Sequence, residues 1–259
     1  MKGCISIVFL LQSVFTFAQK PEVIEEKLLA NFKQINYWVD HHEYSDSIHS
    51  YDSIGKYNTL FTNDLLKYTT ESPSTFKYKF EKLEKEGLTI VNSEDSMLKI
   101  YSWDTWEGGT MHFFSTIFQY RYGEKIYAKE MIYENDDPAG FYSELHTLKA
   151  GKKTYYLGIN HSILSNREVY DEIKVFSIEG KKLNDKVKLI KTTTGLQNTV
   201  GFVFDFFSVA NRPERPVKLI YYDKKKRTFK IPVVLENGVV TNKFITYLFT
   251  GKYFEKLKN

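Results

Sequence analysis

The sequence predicts a mainly β protein of the α+β class: an N-terminal helical hairpin followed by a large antiparallel β meander. Three observations carry this expectation. Apolar residues recur at helical spacing before residue 72, strand-like apolar runs dominate after residue 76, and Gly, Asn, Asp and Pro punctuate those runs. No helical pattern intervenes between the later runs, which argues against βαβ units. A sandwich, an open barrel or a degenerate propeller-like array would each satisfy the pattern. The aromatic, turn-bounded segments at 120–123, 176–180 and 221–224 are spaced too irregularly to be a secure repeat, which favours ordinary hairpins.

The first eighteen residues are expected to be a secretory signal peptide. Lys2 supplies the positive start, Ile5 to Phe17 are largely apolar, and Thr16-Phe17-Ala18 places small residues before Gln19. The apolar run is shorter than the ~20 residues that span a bilayer, so no membrane span is expected after cleavage. Cys4 is the single cysteine and lies in this segment. The mature chain would then have neither disulfides nor thiolate chemistry, and its stability would rest on a packed core. A periplasmic or secreted location follows.

In residues 22–41, Ile24, Leu28, Phe32, Ile35 and Val39 form the stripe of an amphipathic helix. A second stripe, Ile54, Tyr57, Phe61, Leu65 and Tyr68, stops at Ser72-Pro73. Between them, residues 40–52 are rich in Ser, Asp and His, which favours a connector over helix. Strands are expected at 76–81, 88–92, 97–103, 110–121, 124–133, 141–148, 153–160, 168–178, 185–191, 198–209, 217–222, 227–235 and 239–249. Asn237-Gly238, between Val233-Val234 and Val239-Val240, predicts a type I′ hairpin turn with positive φ at both central residues. The chain thus divides into 1–18 (signal peptide), 19–75 (helical hairpin) and 76–259 (antiparallel β domain).

Net charge is +4 for the whole chain, falling to +3 without Lys2. Lysine supplies most of the positive charge and no basic stripe dominates, so nucleic acid is not an expected partner. The Lys-rich stretches 181–191 and 223–230 read as solvated hairpin tips and edges.

The densest cluster of chemically useful side chains is residues 102–112. Trp103, Asp104, Trp106, Glu107 and His112 crowd Gly108-Gly109. Indole faces at a loop edge suit stacking on sugars or peptide side chains, and the carboxylates suit hydrogen bonds to hydroxyls. Asp104 and Glu107 are also the candidates for an acid–base pair across a glycosidic bond. Against both stands a plain packing role, since Trp103 alternates with Tyr101 and Lys99. A second cluster, His42, Asp46 and His49, has metal-ligand composition at helical spacing, but the surrounding serines favour a solvated connector. No metal or other cofactor is therefore expected. His146 and His161 read as hydrogen-bonded strand residues. Asp205, inside the run 202–207, requires either solvent or a partner. Asn160-His161-Ser162 matches a glycosylation acceptor. Phosphate loops, dinucleotide fingerprints and G-x-S-x-G are absent from the sequence.

Tyr101-Ser102-Trp103-Asp104 with Gly108-Gly109-Thr110, then Tyr155-Tyr156-Leu157-Gly158 through Ser165-Asn166-Arg167, then Thr250-Gly251-Lys252-Tyr253-Phe254 carry a resemblance. In these segments the chain resembles uncharacterised exported proteins of Gram-negative bacteria. The resemblance implies an exported bacterial setting and transfers no activity or catalytic residue.

The leading expectation is an exported binding or interaction protein for a glycan or protein ligand. The aromatic share of 16% and the Trp-rich turn motivate it. The alternatives are a hydrolase using Asp104 and Glu107, and a structural or inhibitory partner of another exported protein. Export is directly checkable: the intact mass of protein recovered outside the cytoplasm should lack residues 1–18 and begin at Gln19. Full-length chain retained in the cytoplasm would refute it.

Overall fold

The computed structural model describes residues 19–41, 47–134 and 137–258. Proline at the first helical position opens α1 (Pro21–Asp40), where its preset φ fits and its missing N–H costs nothing. The expected stripe is inward: Ile24, Leu28, Phe32 and Ile35 are buried. Packed beside it, α2 (Ser47–Glu71) meets Phe32 with Phe61 edge-on at 4.9 Å, and Asn31 donates to Asp64 at 2.9 Å. This helix reaches back into the stretch expected as connector. Ser50 is fully buried there, so packing outweighs the weak helix propensity of Ser and Asp.

The strand expected at 76–81 does not form. A 3₁₀ turn (Pro73–Phe76) and the short helix α3 (Glu81–Lys85) flank residues 77–80, which join no strand. A residue distant in sequence anchors this stretch. The buried carboxylate of Glu25 on α1 accepts the Tyr78 hydroxyl at 2.6 Å and the backbone N–H groups of Lys82 and Leu83 at 2.8 and 3.3 Å. A negative charge thereby satisfies the otherwise orphaned donors of the α3 N-terminus.

Three essentially antiparallel sheets follow. The first is a meander of β1 (Thr89–Asn92), β2 (Leu98–Asp104), β3 (Phe114–Tyr122) and β4 (Lys125–Glu130). The second joins β5 (Phe141–Ala150), β6 (Lys153–Ile163) and β7 (Glu168–Glu179), with β8 (Lys182–Asn184) also on β7. The third contains β9 (Ile190–Thr192) and β10 (Gly195–Gln197). The chain then returns to the second sheet, where β11 (Thr199–Asp205) pairs with β7. It re-enters the third sheet as β12 (Tyr221–Asp223), β13 (Thr228–Val234), β14 (Val240–Phe249) and β15 (Phe254–Lys256). Among the described residues one parallel bridge, Phe254 to Ile190, breaks the antiparallel rule, and no sheet closes into a barrel.

Side-chain alternation stacks these elements in layers. From β2, Tyr101 and Trp103 enter the core shared with α1 and α2. Leu98 and Ile100, on the opposite face, meet Tyr142, Tyr156 and Phe176 of the second sheet. The far face of that sheet sends Leu157, Ile159, Ile173 and Val175 against Phe229, Tyr247 and Phe254 of the third. Two sheets are therefore covered on both faces. Each fully buried aliphatic or aromatic side chain contributes ~1.5–3 kcal/mol relative to exposure.

The expected strand 198–209 ends at Asp205, which caps a 3₁₀ turn (Phe206–Ser208) by accepting the Phe207 N–H at 3.0 Å. Asp205 also has its partner: Arg167 donates through Nε at 2.9 Å and approaches through Nη2 at 2.7 Å, holding the carboxyl below its usual range. Residues 217–220 join no strand, and only β12 survives from the expected 217–222.

The turn before β14 also differs from expectation. Gly238 has φ +82°, whereas Asn237 is not among the positive-φ residues, so the turn is not type I′. Gly238 N–H donates to Leu235 at 2.9 Å and Leu235 N–H donates to Val239 at 3.0 Å. This is a turn over 235–238 that ends on a positive-φ glycine. Gly238 further accepts the Asp205 N–H at 2.9 Å, and a Cβ at 238 would lie 3.0 Å from that same nitrogen. Gly238→Val should therefore lower stability by about 1–3 kcal/mol in thermal or denaturant unfolding. An unchanged midpoint would show that this backbone conformation and contact carry no weight.

Candidate functional site

The loop between β2 and β3 is built by short hydrogen bonds. Thr105 N–H donates to Phe113 at 2.8 Å, closing the loop, and Asp104 accepts the Trp106 N–H at 2.8 Å. That Asx-type bond accompanies the left-handed φ of +57° at Trp106. Gly108 is required, because a Cβ there would sit 2.0 Å from the Met111 carbonyl oxygen. His112 N–H donates to Ile163 at 3.1 Å and so ties the loop to the end of β6.

The expected platform divides into separate parts. Trp103 is 1% exposed; its indole N–H donates to Asn58 at 3.1 Å and its ring meets Phe61 edge-on. It offers no face to a ligand. Trp106 is 42% exposed, with its ring centroid 5.6 Å from that of His112. His112 Nδ1 is bonded to the Asp104 carboxylate. Glu107 instead lies over α2, where a Cβ at Gly55 would come within 3.2 Å of its carboxylate oxygen. Asp104 is bonded to His112 and to the Trp106 N–H while the Glu107 carboxylate lies beside Gly55, and sequence proximity does not make them a facing pair. Of the other cluster, His49 is exposed on α2, while His42 and Asp46 lie outside the described residues. Among the described residues, no group of three or more His, Cys, Asp or Glu is gathered to hold a metal.

His112 stands at the edge of a cleft of about 410 Å³. Phe141, Ile163, Val169, Phe204, Phe206 and Val217 give it apolar walls. A second cleft of about 370 Å³ adjoins it, with more polar walls that include Ser143, Glu144, Glu214 and Lys218. His161 and Pro216 line both. A larger hollow of about 720 Å³ lies elsewhere, bordered by Lys152, Lys153, Lys186, Lys188 and Lys252. These lysines are exposed, and as hydrated point charges they impose no fixed geometry on a ligand.

Where the two smaller clefts adjoin, three polar side chains of the second sheet form a chain. His161 on β6 pairs in register with Asp171 on β7, and Nδ1 lies 2.7 Å from Asp171 Oδ1. On the other side, Ser143 Oγ lies 2.7 Å from His161 Nε2. Ser143 reaches this face because β5 carries an irregularity between Tyr142 and Glu144, leaving Ser143 unpaired in the register. Glu144 shares the same side. Proximity of His146 and of Lys218, whose ammonium is 2.5 Å away, holds its carboxyl down to about 2 against the opposing effect of burial. His146 Nε2 lies 3.0 Å from Glu144 Oε2 without the alignment of a hydrogen bond.

Asp171 is fully buried, and its Oδ2 has no hydrogen-bond donor among the described residues. Burial pushes its carboxyl above the usual range, and the His161 bond pulls in the opposite direction. Asn160, the first residue of the glycosylation pattern, is 3% exposed and inaccessible to modification in the folded chain. Ser143 and Asp171 were not among the sequence candidates. A signal for Asp171 was present: it occupies the same alternating stripe as Ile173 and Val175, where a carboxylate is costly without a partner.

The chain matches no family model, no curated protein and no solved structure. The local geometry consequently carries the functional argument alone. The two tryptophans separate cleanly in a stability measurement. Trp103→Ala should cost about 3–5 kcal/mol, as expected for a large aromatic removed from a core. Trp106→Ala should change stability by about 0.5 kcal/mol or less. Equal losses would contradict the division between a core ring and a surface ring.

Proposed function

We propose that this chain is an exported binding protein whose ligand carries an apolar acyl or aromatic group. The observation that supports this most directly is the 410 Å³ cleft, whose walls are mostly aliphatic and aromatic. Ligand sites are typically concave, largely apolar and supplied with a few polar groups that set orientation. Here His112, Arg215, Ser165 and Asn166 supply the polar edge. The neighbouring cleft, with Glu144, Glu214 and Lys218, suits a hydroxyl-bearing portion such as a sugar. Trp106, whose ring neighbours that of His112, adds exposed aromatic surface next to the polar edge.

A second reading, docking of another exported protein, draws on Phe207 and on the 235–239 turn that meets Asp205. Phe207 is 66% exposed and Leu235 is 51% exposed, on adjoining segments. Exposed apolar residues gathered in this way mark interaction surfaces.

A solvent-sensitive aromatic dye, 1-anilinonaphthalene-8-sulfonate, probes the first reading. It should bind at one site per chain, and Phe206→Ser should weaken binding about tenfold or more, equivalent to about 1.4 kcal/mol. Ile163→Ser should act in the same direction. Absence of dye binding, or binding unchanged in both variants, would overturn the cleft as the ligand site. Phe207→Ser lies outside the cleft lining and should leave dye affinity unchanged.

A further inference from the structure

We infer that Ser143, His161 and Asp171 form a nucleophile–base–acid relay that hydrolyses a carboxylic ester of an apolar acid with a polar alcohol. This rests on the binding reading above, because the apolar cleft would hold the acyl portion. The geometry is specific. Two contacts of 2.7 Å join the three side chains in the order serine, imidazole, carboxylate. They come from three neighbouring strands, β5, β6 and β7, of a sheet covered on both faces, a rigid setting for such a relay.

Asp171 sets the direction of the proton. An ionised carboxylate only accepts hydrogen bonds, so its contact with Nδ1 places the imidazole proton there and leaves the Nε2 lone pair facing the Ser143 hydroxyl. Nothing else donates to Asp171 among the described residues, since its second oxygen has no partner. Asp171 is therefore a positioning residue, and Ser143 and His161 are the groups that meet the substrate.

The steps balance with water as the only co-reactant. Ser143 Oγ attacks the ester carbonyl carbon while its proton passes to His161 Nε2. The resulting tetrahedral oxyanion collapses, the carbon–alkoxy bond breaks, and His161 returns the proton to the leaving alcohol. Water then attacks the acyl-Ser143 ester, giving one proton to His161. Breakage of the carbon–Oγ bond releases the acid, and Ser143 recovers its proton. Lys218 lines the same cleft as Ser143 and His161, with its ammonium paired to the Glu144 carboxylate.

The two-cleft arrangement defines the substrate. His161 sits where they adjoin, with the apolar cleft on one side and the Glu144–Lys218 side on the other. An ester whose acid is aliphatic or aromatic and whose alcohol is hydroxyl-rich places its carbonyl between them.

The test uses the mature chain with a fluorophosphonate probe and a series of p-nitrophenyl esters from acetate to octanoate. The wild type should be labelled on Ser143, located by peptide mass spectrometry, and should hydrolyse at least one ester. Ser143→Ala should lose labelling and reduce kcat/KM about 10³-fold or more. Asp171→Asn should lower kcat about 10²-fold or more with little change in KM, a split that a merely structural role would not produce. Ser143→Ala is also assayed for binding of 1-anilinonaphthalene-8-sulfonate and for its melting temperature. Retained dye binding with lost hydrolysis isolates the relay from the binding site. Labelling of Ser143 in a wild type that binds no dye would overturn the apolar-cleft reading and leave the relay standing. A wild type that takes no label on Ser143 and hydrolyses no ester faster than Ser143→Ala overturns the relay, whatever the dye shows.

Discussion

Coverage of the β5–β6–β7–β11 sheet on both faces is the constraint from which the candidate chemistry follows. A sheet with one wet face can point its polar residues at water, but this one has apolar layers on either side. A polar group directed inward must then find a partner within the protein or bear a desolvation cost of several kcal/mol. In the first sheet, Gln119 and Lys99 meet the same constraint with partners on the helical side, although Arg121 Nε is left without a hydrogen-bond acceptor among the described residues. Gln119 donates to the Thr69 carbonyl at 2.7 Å and to Thr75 at 2.9 Å, and it accepts the Tyr101 hydroxyl at 2.8 Å. Lys99 is 1% exposed and donates to the carbonyls of Thr75 and Tyr78. Burial nevertheless pushes its ammonium down to about 8, with the Glu84 charge acting the other way.

The second sheet meets the constraint differently. His161 is paired at both ring nitrogens, while Asp171 is left with one oxygen lacking a donor. A fully satisfied network is sufficient for structure alone. A buried carboxylate committed to a single imidazole, which in turn faces a hydroxyl beside a cleft, concentrates electrostatic effect on one proton position. The serine–imidazole–carboxylate order beside a cleft, rather than the unpaired oxygen, sets this site apart from the networks of the first sheet.

Local irregularities then shape access. The irregular register on β5 turns Ser143 and Glu144 to the same side, where an ideal strand would have alternated them. The Asp205 cap ends β11 early and leaves Phe206 to line the apolar cleft, and Pro216 lines both clefts. The loop after β2 brings His112 to the entrance through its bond to Ile163. Regular strands supply the rigid frame, and the departures from regularity supply the site.

The sequence by itself determined the order and kind of most elements, because helical and strand periodicities are local consequences of burying one face. It accounts for α1, the stop at Pro73, most strands from β1 to β14, and the presence of a turn at 235–238. It misjudged places where a distant group decides. Glu25 holds Tyr78 and the start of the helix that follows, where a strand was expected at 76–81, and the Gly238–Asp205 contact accompanies a turn other than type I′. The same limit applies to the site. Trp103, Asp104, Trp106 and Glu107 stood out because they are close in sequence, yet the fold sends one ring to the core and the two carboxylates to different neighbours. Ser143, His161 and Asp171 are separated along the chain and were brought together only by strand register and an irregular strand, which is a property of cross-strand pairing rather than of any segment's own pattern.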